Sequence, residues 1–117
     1  MTAATQPNGS TRLPSSTVRL ARESGATVHV GSVVSSGLFY DPRPGVLARY
    51  AKRGHLAVEM EVSVLYTLAA IHGIEAVGLM TISDIIGTDG GSERISDDEL
   101  KLGVDRMMQV ACAVAVS

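Results

Sequence analysis

From Ala76 to Ile82 the chain is apolar at every position but Thr81, and it then meets Ser83 and Asp84. An apolar run of strand length suits a central strand covered on both faces, as in α/β proteins. The flanking sequence alternates in type. Thr27 to Val34 reads as a strand, with Val28 and Val30 set against His29 and Gly31, and Leu56 to Val58 is a short apolar strand. Between and around them lie helical segments: Ser15 or Ser16 to Arg22 with Gly25 beyond, Pro44 to Arg53 stopped by Gly54, and Met60 to His72 closed by Gly73. The third has an apolar face of Val64, Leu65, Leu68 and Ile71. Gly87 to Gly91 reads as a loop. After it Ser96 and Glu99 form a capping box, followed by a core-facing stripe of Leu100, Val104, Met107, Met108, Ala111 and Ala115. Strands alternating with helices predict an α/β fold with some parallel pairing.

The chain has 117 residues, room for one domain. Met1 to Ser16 reads as a disordered or loop-like segment, because Met1 to Pro14 is rich in Thr, Ser, Pro, Asn and Gly without periodicity, and residues 17–117 form the body. With 45% hydrophobic and 19% charged residues the composition is that of a globular chain. A net charge of -2, with no Lys/Arg run, argues against nucleic acid as a partner. No window holds the ~18 apolar residues of a membrane span, and the N-terminus has no apolar signal region. Cys112 is the single cysteine, which fits a reducing cytoplasm and reads as a small buried hydrophobe. His29, His55 and His72 have no metal-ligand spacing with each other or with Cys112, so no metal is expected. No G-x-x-x-x-G-K loop and no G-x-S-x-G elbow occurs.

The chemistry concentrates at three places. Asp84 follows the apolar run, where open α/β sheets place their ligands, although an Asp there also caps turns. Glu59 and Glu61 flank Met60 at a strand-to-helix junction. Carboxylates suit a helix N-terminus on electrostatic grounds alone. Two residues apart, they do not share a face as an acid/base dyad would. The alternative is that one accepts hydrogen bonds from a vicinal diol while the other serves structure. Phe39 is a stacking wall for a heterocycle or an ordinary core residue.

Val30-Gly31-Ser32-Val33-Val34-Ser35-Ser36-Gly37-Leu38-Phe39-Tyr40, then Ala57-Val58-Glu59-Met60-Glu61, then Thr81-Ile82-Ser83-Asp84 resemble, in order and interval, the C-terminal half of the nucleoside phosphorylase-I family. The likeness spans Val18 to Ala115 and looks nearest to the bacterial purine nucleoside phosphorylases. It implies a three-layer α/β/α fold with a central mixed sheet, here incomplete. It also implies phosphorolysis of a purine nucleoside to base and pentose 1-phosphate, with phosphate as co-substrate and no cofactor. Carried over by residue, Phe39 stacks on the purine, Met60 lies under the ribose and Glu61 binds its hydroxyls. Val58 and Glu59 line the same pocket. Asp84 protonates the purine N7, Ser83 stands beside it, and Arg94 assists. An aspartic acid donor needs shelter from water, which the apolar strand before Asp84 is expected to give.

Three departures qualify the likeness. Gly37 stands where the family usually has an acidic residue. Ile85 replaces a common His and resembles the related nucleosidases, which use water in place of phosphate. The front half of the family domain, with its phosphate cradle, has no counterpart in Met1 to Ser16. Hydrolysis and a non-catalytic nucleoside-binding module are therefore the alternative functions. The uncovered sheet edge and apolar face predict a homo-oligomer or a partner supplying the missing half.

Overall fold

The computed structural model describes residues 1–4, 12–87, 89 and 91–117. Among them the order is β1 (Thr2–Ala4), α1 (Arg12–Glu23), β2 (His29–Val30), β3 (Val33–Ser35), α2 (Val46–Lys52), β4 (Ala57–Glu59), α3 (Val62–His72), β5 (Gly78–Met80), β6 (Asp84–Ile86), β7 (Ser92–Arg94) and α4 (Asp97–Ala115). The α/β class expected from the alternation is the class observed.

The described parts of the N-terminal segment are regular where its composition suggests loop. Thr2–Ala4 forms a strand, and α1 begins at Arg12 rather than at Ser15 or Ser16. Residues 5–11 lie outside the described set. The strand expected over Thr27 to Val34 breaks at Gly31 and Ser32. Its first part pairs parallel with β1, and its second pairs parallel with β4. At the break Gly31 admits the Leu56 side chain, since a Cβ there would stand 2.7 Å from Leu56 Cδ1. The Leu56 N–H donates to Ser32 O at 2.9 Å, holding the bend in place.

Among the described residues, hydrogen bonding thus yields three small sheets in place of one continuous central sheet: β2-β1-β5, β3-β4 and β6-β7. The first is mixed, because β1 runs antiparallel to β5. The run Ala76 to Ile82 contributes only Gly78–Met80, and it forms an edge of that sheet rather than its centre. Strand β1 flanks it on one side, and no second strand among the described residues reaches the other. The expected loop Gly87 to Gly91 is the turn of a hairpin, closed by Gly87 N–H to Gly91 O at 2.8 Å. Thr88 and Gly90 of that loop lie outside the described residues.

Helix α2 starts at Val46, two residues after Pro44, and buries Val46. Helix α3 ends as expected at Gly73, whose φ of 65° is left-handed and favours glycine. Helix α4 carries the capping box: Ser96 Oγ accepts from Glu99 N–H at 3.3 Å, and the Ser96 N–H donates to Glu99 Oε2 at 3.0 Å. Its buried side is turned from the expected stripe. Val110 and Val114 are buried, whereas Val104, Met108 and Ala115 are exposed. Helix α1 packs on the Val110–Val114 side and buries Thr17 and Ala21 there, with Leu20, Val28 and Leu79 around them. That choice of side also leaves Cys112 exposed, against expectation. The body is a slab of 42 × 35 × 19 Å with a radius of gyration of 14.8 Å.

Candidate active site

The parallel register of β3 and β4 sets Ser35 opposite Glu59, and the Ser36 N–H donates to Glu59 O at 2.8 Å. Both strands therefore end together, at the first turn of α3. The Glu59 carboxylate turns into that turn. Its Oε2 accepts from the N–H groups of Glu61 and Val62, each at 2.6 Å. Its Oε1 accepts from Ser35 Oγ, which in turn accepts from Ser63 N–H at 2.9 Å. Burial pushes the Glu59 carboxyl up, but the Ser35 hydroxyl and the N–H groups of Val62, Glu61 and Met60 together outweigh it. The group is held below the ordinary carboxylate range.

Because Glu59 satisfies the helix end from two residues outside it, the residue at the N-cap position, Glu61, makes no side-chain capping bond. Glu61 is exposed, and so are Met60 and Val58 beside it. This is also why α3 begins at Val62 and not at Met60. The division of labour is clear: one carboxylate of the pair holds backbone, and the other is presented to solvent.

Phe39 follows β3 in a turn where Ser36 Oγ donates to Leu38 O at 3.0 Å and accepts from the Leu38 N–H at 3.2 Å. Its ring meets Tyr40 edge to face at 4.9 Å and is 78% exposed, so no core packing claims it. Just beyond, Arg43 donates from Nε to both Asp41 oxygens, at 2.8 and 3.1 Å. That guanidinium lowers the Asp41 carboxyl to about 2.

The third group sits on the hairpin. Asp84 begins β6 and its register partner on β7 is Arg94, so directly opposite side chains share a face. Ser83 Oγ donates to Asp84 Oδ2 at 2.6 Å, and the Ile95 N–H donates to Ser83 O at 3.0 Å. Arg94 Nη2 stands 3.8 Å from Asp97 Oδ1. Asp84 is exposed. The shelter expected from the preceding strand is therefore not supplied by this chain, because that strand lies at a sheet edge.

The structure thus assembles two clusters, one of Ser35, Glu59, Met60 and Glu61 and one of Ser83, Asp84 and Arg94. No hydrogen bond among the described residues joins them directly. Helix α3 links their frames: Tyr66 Oη accepts from Gly78 N–H at 3.0 Å, and a Cβ on Gly78 would meet Val62 Cγ2 at 3.1 Å. Burial raises the Tyr66 hydroxyl above its ordinary value, and the Glu59 charge adds to that. Beside these residues lies a cleft of about 260 Å³, lined by Ser32, Ser35, Ser63 and Tyr66 rather than by Phe39, Glu61 or Asp84. A larger, shallower depression of about 550 Å³ lies on α1 and β2, away from both clusters.

Ser35 and Tyr66 are the residues that sequence reasoning passed over. Neither had a local signal: the Tyr66 partner, Gly78, stands 12 residues on, and Glu59, the partner of Ser35, stands 24 residues on. No group of three or more His, Cys, Asp or Glu among the described residues is placed to hold a metal, and no helix there is long and apolar enough to cross a membrane.

Chemically, an exposed carboxylate beside Met60 can accept from adjacent hydroxyls, and the strand pairing sets the Asp84 carboxylate opposite the Arg94 guanidinium. The comparisons bear on the family of the chain. The family model for the phosphorylase superfamily matches residues 3–116. A DeoD-type purine nucleoside phosphorylase from Jannaschia is 37% identical over 99 residues, 85% of this chain and 41% of its own length. One from Clostridium perfringens is 38% identical over 111 residues, 95% of this chain and 46% of its own. One from Streptococcus uberis is 40% identical over 98 residues, 84% of this chain and 40% of its own. The chain spans less than half the length of these curated relatives.

Proposed function

This chain belongs to the phosphorylase superfamily, and on that premise we propose that it carries the ribose- and base-binding half of a purine nucleoside phosphorylase-like pentosyltransferase. Residues 17–117 are then the C-terminal part of a phosphorylase domain. The substrates are a purine nucleoside and phosphate, and no resident cofactor takes part. In the reaction a phosphate oxygen bonds to the anomeric carbon of the ribose as the glycosidic bond breaks. The departing electron pair passes to the purine, and N7 takes a proton from Asp84.

Phe39 stacks on the base, Val58 and Met60 lie against the sugar, and Glu61 accepts from the ribose hydroxyls. Ser83 fixes the Asp84 carboxyl, and Arg94 steadies charge on the opposite strand. The observation that carries this reading is the unequal use of Glu59 and Glu61. The first is consumed by Ser35 and the α3 backbone, and the second remains open beside Met60. The protein works in the cytoplasm, as a homo-oligomer or with a partner that supplies the remaining strands and the phosphate cradle.

The test is purine release from inosine and guanosine by the purified chain, with and without phosphate. Release that requires phosphate supports phosphorolysis, and release without it makes the enzyme a hydrolase. Binding without release, lost in Glu61→Gln and Phe39→Ala, identifies a binding half. Absence of both binding and release sinks the proposal.

A further inference from the structure

We infer that Ser35 and Glu59 are positioning residues, which clamp the ends of β3 and β4 to the first turn of α3 and thereby fix where Met60 and Glu61 stand. The ribose-facing consequence rests on the function proposed above; the clamp itself rests on geometry alone.

The end of β3 and the distant β4–α3 junction converge on two side chains. Ser35 Oγ, at the end of β3, accepts from Ser63 N–H on α3 at 2.9 Å and gives its own proton to Glu59 Oε1 at the end of β4. Glu59 Oε2 takes the N–H groups of Glu61 and Val62 at 2.6 Å each. Three backbone donors of the junction thus end on one hydroxyl and one carboxylate, and no acceptor for them has to come from Glu61. Met60 lies inside the loop that the Glu59 carboxylate closes, so its backbone cannot move without breaking that ring. The junction is also held from behind, since the Tyr66 hydroxyl on α3 accepts from Gly78 N–H.

A charged acceptor here does what an ordinary N-cap side chain does, but from two positions earlier. The gain is specific to a site: the residue nearest the helix end keeps a free carboxylate. Glu59 accordingly does not act as a ligand contact, although it stands between two residues that the function assigns to substrate.

The test combines amide exchange with nucleoside binding in the same full chain. Exchange is read at Val62 and Ser63, and inosine is the binding probe. Glu59→Ala is expected to speed exchange at Val62 roughly fivefold, and Ser35→Ala to do the same at Ser63. Glu59→Gln and Ser35→Thr keep an acceptor oxygen and are expected to restore most of the protection. The inosine dissociation constant should rise in the two alanine variants and recover in the two conservative ones. Unchanged exchange in both alanine variants overturns the clamp. Loss of inosine binding in Glu59→Gln, with exchange still native, also overturns it and makes Glu59 a direct ligand. If the unmodified chain binds no inosine, the proposed function fails, while exchange still decides the clamp.

Discussion

At Glu59 two opposing effects act on one carboxyl, and the hydrogen bonds win over burial. A group held below its ordinary value in the folded chain contributes stability that is present above the usual carboxylate range. That contribution is lost as pH falls through the lowered value. Thermal melts from pH 7 to about pH 3 should therefore show a steeper acid loss in the unmodified chain than in Glu59→Gln; equal slopes would mean that the bonds to Ser35 and Val62 do not form. Asp41 has the same sign, but its window reaches lower, to about pH 2, because Arg43 holds it there. An exposed pair of that kind is worth little, so Asp41→Asn should barely alter the melt at neutral pH. Cys112 gives a third readout at this scale. It is exposed on α4, and a thiol reagent should label it stoichiometrically without denaturant.

The elements differ in how much of them a reader of the sequence can see. The box at Ser96 and Glu99 was legible because all its partners lie within four residues, and Ser96→Ala should cost about 1 kcal/mol in chemical denaturation. The buried side of the same helix was not. Val104 and Met108 compete with Val110 and Val114 for the core, and only the docking of α1 decides between them. Ala21 is wholly buried at that contact, so Ala21→Leu should overpack it and lower stability by about 1–3 kcal/mol. The run Ala76 to Ile82 misled for a related reason. Its apolar residues specify a strand, but how many neighbours it gains depends on segments far away in the chain. At the candidate site, a division of work between Glu59 and Glu61 was one of two readings the sequence left open. Which of them would hold the backbone was set by Ser35, 24 residues earlier, through a strand pairing that no local pattern records.

For the whole molecule, area is the telling quantity. A compact monomer of this mass should expose about 6,100 Å², whereas this chain exposes 7951 Å². Its radius of gyration of 14.8 Å likewise exceeds the roughly 13 Å of a compact chain. The surplus is about twice the ~800 Å² that one partner contributes to a standard protein interface. Much of it is apolar: Val64, Leu65, Leu68 and Ile71, the face α3 was expected to bury, are 45–70% exposed. Self-association through that face is the expected outcome in sedimentation, and Leu68→Glu should shift the chain toward monomer. A monodisperse monomer of the unmodified chain would count against it. Thickness carries a further consequence. In a slab 19 Å deep every group lies within about 10 Å of solvent, so water screens any charge that develops during bond cleavage. A drier chamber around Asp84, which this chain leaves exposed, would need a second slab against it. Turnover per molecule, if this chain catalyses, should therefore rise with protein concentration instead of staying constant.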